Sequence, residues 1–156
     1  MTALEAYELT TKGAGTDFAR VIAVCESFGP YCLIGGLAVN CYVEPVYTLD
    51  AHVVVEHHPH SVNLPAPGSE LRIQFTIGER YQAFLERSNE REVLGVRARV
   101  ACLEDVAHGK LWAYSDPQRR LSKRKKDELD LIRLAEAYPA LKSFYPKDLL
   151  DQLAAG

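Results

Sequence analysis

The sequence predicts a mixed α/β (α+β) domain with a sheet of three to five strands flanked by helices. Short β-branched or alternating apolar runs recur through the first two-thirds of the chain. The last third changes to the helical period, and a helical pattern also precedes the first strand-like run. No internal repeat or low-complexity linker interrupts the 156 residues, so 1–156 read as a single domain. Residues of about 1–101 form its mixed α/β core and about 102–156 its helical C-terminal part.

Thr16 or Asp17 is suited to cap a helix through FARVIAVCESF, where Phe18, Val21, Ile22 and Cys25 recur at helical spacing. Gly29-Pro30 ends it, because the residue before a proline is driven out of the helical region. YCLI (31–34) is a short apolar run of buried-strand type, broken by Gly35-Gly36. LAVNCYV (37–43) reads as a short helix stopped before Pro45. Thr48 to Glu56 reads as a strand, since three consecutive valines favour extended backbone. The segment from 57 to 70, with three prolines and a glycine, reads as loop.

In LRIQFTI (71–77), Leu71, Ile73 and Phe75 alternate with Arg72, Gln74 and Thr76, the two-residue period of a half-buried strand. Arg80 to Ser88 reads as helix and VRARVA (96–101) as a further strand. Three helical stretches follow: LEDVAHGKLWAY (103–114), a run from about Pro117 or Ser122 to Tyr138, and a last one near LKSFYPKDLLDQL.

Composition bounds the function. Eighteen basic against twenty-one acidic residues leave a net charge of −3, which argues against a general nucleic-acid coat and gives no reason to expect DNA as a partner. No apolar stretch approaches the roughly 20 residues that span a bilayer. The start MTALEAYELTTKG has neither the basic nor the apolar region of a secretory signal. A cytoplasmic protein without a membrane partner is the expectation. The four cysteines contain no C-x-x-C pair, and they read as reduced, structural thiols.

Four groups of residues are candidates for chemistry. Gly35-Gly36, between a strand and a helix, permits backbone N–H groups to approach an anion closely, although a plain tight turn is the more common explanation of such a pair. Asp50 and His52 lie two apart and share one strand face, where they offer an oxygen and a nitrogen ligand to a divalent metal. A turn-capping Asp with a packed His is the alternative. Arg72 and Gln74 share a face of the next strand, and Gln74 offers only an uncharged amide oxygen.

In RRLSKRKK, Arg119, Arg120, Lys123, Arg124, Lys125 and Lys126 fill six of eight positions. That block can meet triphosphate or RNA phosphates, or form a solvated face balanced by Asp127, Glu128 and Asp130. Lys110, in an otherwise apolar helix, can reach a phosphate or snorkel to solvent. His57, His58 and His60 stand in a proline-bearing loop without a matching carboxylate and read as surface residues.

Taken together, these pieces resemble the nucleotidyltransferase superfamily, most closely the AbiEii/AbiGii-type toxin nucleotidyltransferases. YCLIGGLAVNCYVEPVYTLDAHVVV is similar to that family's strand, Gly-Gly turn, helix and "T-x-D-x-D" strand. LRIQF follows as its next strand, and VACLEDVAHGKLWAYSDPQRRLSKRKKDELDLIRL as its helical segment, so the resemblance runs from about 31 to 138.

It implies transfer of an NMP group from an NTP to an RNA acceptor such as tRNA, or to a protein acceptor. The reaction would be aided by Mg²⁺ or Mn²⁺, in the toxin of a toxin–antitoxin pair whose antitoxin is a further partner. Carried over, Gly35, Gly36, Thr48, Lys110, Arg120, Lys126, Asp127 and Asp130 bind nucleotide, Asp50 and His52 are catalytic, and Asp50, His52 and Gln74 face the metal.

The sequence departs from the family pattern at His52, in the second carboxylate position, at Gln74, in the third, and at Val46, where relatives carry an arginine. A short proline-rich loop also joins Glu56 to Leu71 where relatives carry a helix. Two of three anionic ligands are therefore replaced, which weakens magnesium binding. This leaves open a catalytically degenerate protein that binds a nucleotide or a partner, and a module that binds RNA or a partner through Arg119–Lys126.

Overall fold

The computed structural model describes residues 2–56 and 68–156. The expected loop lies outside the described residues as far as residue 67, and His57, His58 and His60 lie outside them too. The elements run α1 (Ala3–Thr10), α2 (Ala14–Phe28), β1 (Tyr31–Ile34), α3 (Gly35–Val39), β2 (Asp50–Val55), β3 (Arg72–Thr76), α4 (Glu79–Arg87), β4 (Asn89–Val93), β5 (Val96–Val100), α5 (Leu103–Ser115), α6 (Leu121–Ala137), a 3-10 turn at Pro139–Phe144 and α7 (Lys147–Ala155). The architecture is the expected mixed sheet flanked by helices, with a helical C-terminal part.

The sheet has five strands in the order β3-β2-β1-β5-β4. β1 pairs antiparallel with β2 and parallel with β5, β2 runs parallel to β3, and β4 closes an antiparallel hairpin with β5. The central strand is apolar throughout, and all four of its residues are buried, as a strand covered on both faces requires. On one face, Val55 of β2 and Phe75 of β3 meet Val24, Cys25 and Phe28 of α2. The opposite face carries Asp50, His52 and Val54, and α4 and α5 pack there through Tyr81 and Trp112.

Several boundaries differ from the sequence expectation, each for a physical reason. α1 is an additional helix, opened by a capping box in which Thr2 Oγ1 accepts from the Glu5 N–H at 3.1 Å and Glu5 accepts from the Thr2 N–H at 2.6 Å. α2 begins at Ala14, ahead of the expected caps, because Thr11 Oγ1 takes the Ala14 N–H at 3.2 Å. Asp17 instead turns out of the helix to accept from the Ser69 N–H at 2.9 Å.

Further along, the short helix after β1 includes the glycine pair rather than following it. β4 is also additional, being exposed at four of its five positions and so lacking an apolar signature. Its turn to β5 uses positive φ at Leu94 (50°) and Gly95 (79°). The last helical stretch divides at Pro146, which precedes α7.

No helix among the described residues is long and apolar enough to cross a membrane. The four cysteines are free. Burial pushes the Cys25 thiol up to about 11 and Cys32 up to about 12, so neither carries thiolate near neutral pH.

Candidate functional site

The candidate site lies at the N-terminal end of β2, where β1, α3, β3 and α6 meet. Strand register builds it. Ile34, the last residue of β1, pairs with His52, so Gly35 begins its turn directly beside that histidine. Gly35 has a φ of 74°, a conformation side-chain-bearing residues adopt only with strain, and a Cβ there would lie 3.4 Å from the His52 Cβ. Gly36 has an ordinary φ, and its Cβ would sit 3.4 Å from Thr48 Oγ1. Thr48 is fixed in turn, its carbonyl accepting from the Tyr7 hydroxyl at 2.8 Å and its Oγ1 from the Asp50 N–H at 3.2 Å. Gly35, Gly36, Thr48, Asp50 and His52 therefore lie together.

Parallel pairing of β2 with β3 sets Asp50 opposite Arg72 and His52 opposite Gln74. Arg72 Nε donates to Asp50 Oδ1 at 2.7 Å, and Lys123 Nζ, from the first turn of α6, donates to Asp50 Oδ2 at 3.1 Å. Each oxygen of the carboxylate thus holds a cation. Partial burial pushes the Asp50 carboxyl up, but the two hydrogen bonds and the two positive charges outweigh it and hold it below the usual carboxylate range.

His52 is different. Its Nε2 is enclosed and has no hydrogen-bond partner among the described residues. Burial, followed by the positive charges of Lys110 and Arg119, lowers its pKa to about 4, so the ring is neutral at pH 7. Tyr81 packs beside it with ring centroids 6.5 Å apart. Tyr81 belongs to an aromatic wall with Phe84 and Trp112, over which Arg80 lies 4.6 Å from the Trp112 centroid. Gln74 is exposed.

The C-terminal positions divide into two sets. Lys110 is buried in α5, with Nζ 3.1 Å from Asp127 Oδ1 and 2.8 Å from Asp130 Oδ2 of α6. Asp127, whose side chain is only 1% exposed, also takes Arg119 Nε at 2.6 Å, and Asp130 takes Arg133 at 2.9 Å. These opposite charges satisfy one another and bolt α5 to α6. Arg120 and Lys126 are exposed, and the Arg120 guanidinium donates to Ser122 Oγ at 3.1 Å.

Asp50, His52 and Gln74 do not fit magnesium. A hard divalent cation needs several oxygen ligands with negative charge among them, and the single carboxylate here is already neutralised by two cations. Burial, with the positive charges of Lys110 and Arg119 added to it, keeps His52 unprotonated and opposes a metal cation in the same way. Among the described residues no group of three His, Cys, Asp or Glu side chains is placed to hold a metal.

No family model matches the chain, and no curated protein matches it. Solved structures do. One is an antigenic nucleotidyltransferase-like protein from Paracoccidioides brasiliensis, with a TM-score of 0.52 and 17% identity, covering 79% of this chain and 75% of that one. The fold is nucleotidyltransferase-like. At this identity the likeness concerns the arrangement of the backbone alone.

Within that fold, strand alternation puts Asp50 with His52 and Arg72 with Gln74, as their spacing implied. The pairing of Arg72 and Lys123 with Asp50 had no counterpart in the sequence reading, nor did the aromatic wall. For Arg72 a signal existed in its shared parity with Gln74. Lys123 lies 73 residues from Asp50, and nothing in the local pattern links them.

Proposed function

We propose that this chain binds a nucleotide through its phosphates, in a nucleotidyltransferase-like cleft that does not carry out metal-dependent transfer. The observation that carries the reading is the state of Asp50, the one carboxylate on the cleft face of β2, held by Arg72 and Lys123. Around it the site is cationic: Arg72 and Lys123 outnumber Asp50, and Arg120 and Lys126 are exposed at the start of the same helix, α6. Such an arrangement favours a polyphosphate and disfavours a second cation. The Gly35-Gly36 turn, packed against His52 and Thr48, would offer its backbone N–H groups to phosphate oxygens.

Calorimetry with each of the four NTPs, run beside incubation with labelled NTPs, Mg²⁺ or Mn²⁺ and candidate tRNA or protein acceptors, tests this. Binding of at least one NTP without label transfer is expected.

A second reading is favoured by the convergence of the glycine turn, Thr48 and Asp50 at one strand end. It is the transferase that the sequence resemblance implies, passing an NMP group to an RNA or protein acceptor as the toxin of a toxin–antitoxin pair. Label transfer lost in Asp50→Ala would establish this activity in place of the first reading.

A further inference from the structure

We propose that Lys123 occupies the electrostatic place of a divalent cation, so that the cleft selects metal-free nucleotide polyphosphate over its magnesium complex. This rests on the nucleotide-binding reading and goes beyond it by naming the ionic form of the ligand.

The argument begins with the donors left over. Arg72 reaches Asp50 through Nε alone, at 2.7 Å, leaving its terminal nitrogens for another acceptor. The Lys123 ammonium spends one N–H on Asp50 Oδ2, at 3.1 Å, and has two more. Asp50 therefore acts as a positioning residue that holds two cations side by side across the β2–β3 edge and the first turn of α6. Their exposures suit the role: the Arg72 side chain is 66% exposed, whereas Lys123, at 28%, is set deeper against the strand.

Together the three groups carry a net positive charge. A polyphosphate without metal brings full negative charge to these donors. With magnesium bound, much of that charge is cancelled, and the ion must sit near Arg72 and Lys123 with no unpaired carboxylate to receive it. Attraction is lost and repulsion is gained. A metal-dependent cleft behaves in the opposite way, because there the ion bridges carboxylates and phosphates.

The experiment is calorimetric titration of the full chain with ATP, GTP, CTP and UTP, each in EDTA and again in excess Mg²⁺. For the nucleotide that binds, affinity in EDTA is expected to exceed that in Mg²⁺ by roughly tenfold. In Lys123→Gln, with folding checked by circular dichroism, the ratio is expected to fall to about one. Binding in wild type that needs Mg²⁺, or is equal in both conditions, overturns the inference and leaves the nucleotide reading standing. An unchanged ratio in folded Lys123→Gln overturns the assignment to Lys123. Failure of all four nucleotides to bind in either condition overturns both readings. Where that variant does not fold, the wild-type ratio still decides the preference for metal-free nucleotide, and Lys123→Arg, which keeps the charge and should keep the ratio, tests the assignment: a ratio that falls to about one in folded Lys123→Arg overturns it.

Discussion

The Lys110 ammonium lies 3.1 Å from the carboxylate of Asp127, and both side chains are almost wholly removed from solvent, at 10% and 1% exposed. Asp127 also accepts from Arg119, Lys110 also donates to Asp130, and Asp130 takes Arg133, so the contact sits inside a five-residue chain of alternating charge. Truncating Asp127 leaves the buried Lys110 with Asp130 alone and takes away the partner of Arg119. Asp127→Ala is therefore expected to destabilise the fold by about 1–3 kcal/mol. The double variant Lys110→Met/Asp127→Leu should recover a large part of that loss. Urea unfolding of the two variants checks this, and a double variant no more stable than Asp127→Ala would contradict it.

His52 makes stability depend on pH. Its folded pKa of about 4 lies below the ordinary value of 6.5, so the unfolded chain binds the proton more readily between those values. This contribution is complete above pH 6.5, shrinks as pH falls and is gone below about 4. Across the window it amounts to about 3 kcal/mol at most. Urea midpoints between pH 7 and 4.5 should fall in wild type and fall less steeply in His52→Gln. Asp50, held below the usual carboxylate range, acts in the same direction but at lower pH.

The two glycines should respond differently to alanine. Gly35→Ala places a Cβ on a residue at φ 74°, with an expected loss of about 1–2 kcal/mol. Gly36→Ala meets only contact distance at Thr48 and sits inside α3, so stability should hold or rise by about 0.5 kcal/mol. If the turn receives phosphate, Gly36→Ala should weaken nucleotide binding without a stability loss. Thermal melts and calorimetry on the same preparations separate the two effects.

The basic block should also divide by role. Arg120 and Lys126 are exposed and hold no carboxylate among the described residues, so Arg120→Glu/Lys126→Glu should leave the fold intact. Nucleotide affinity in that variant should fall by roughly tenfold at low salt and by less at high salt. Arg119→Glu, which replaces a cation beside the buried Asp127 carboxylate with a like charge, should lower stability instead. Equal effects of both changes on stability would contradict this division.

Much of the architecture was legible in the sequence because its signals are local. Three valines in a row, the alternation of Leu71, Ile73 and Phe75, and the helical stripe of α2 each report a backbone period that residues a few positions apart impose on one another. Parity within a strand also placed Asp50 with His52. The elements that escaped lack such a period: β4 is exposed at most positions, and α1 announces itself only through the Thr2–Glu5 capping box.

The sequence determined which side chains share a strand face and that a glycine pair follows the buried strand. Tertiary structure decided what those side chains meet. The parallel register of β3 on β2 brought Arg72 to Asp50, and docking of α6 brought Lys123 from 73 residues away. Register and docking are set by how the whole core closes around β1. The charge surrounding Asp50 therefore belongs to the fold rather than to any segment of the chain.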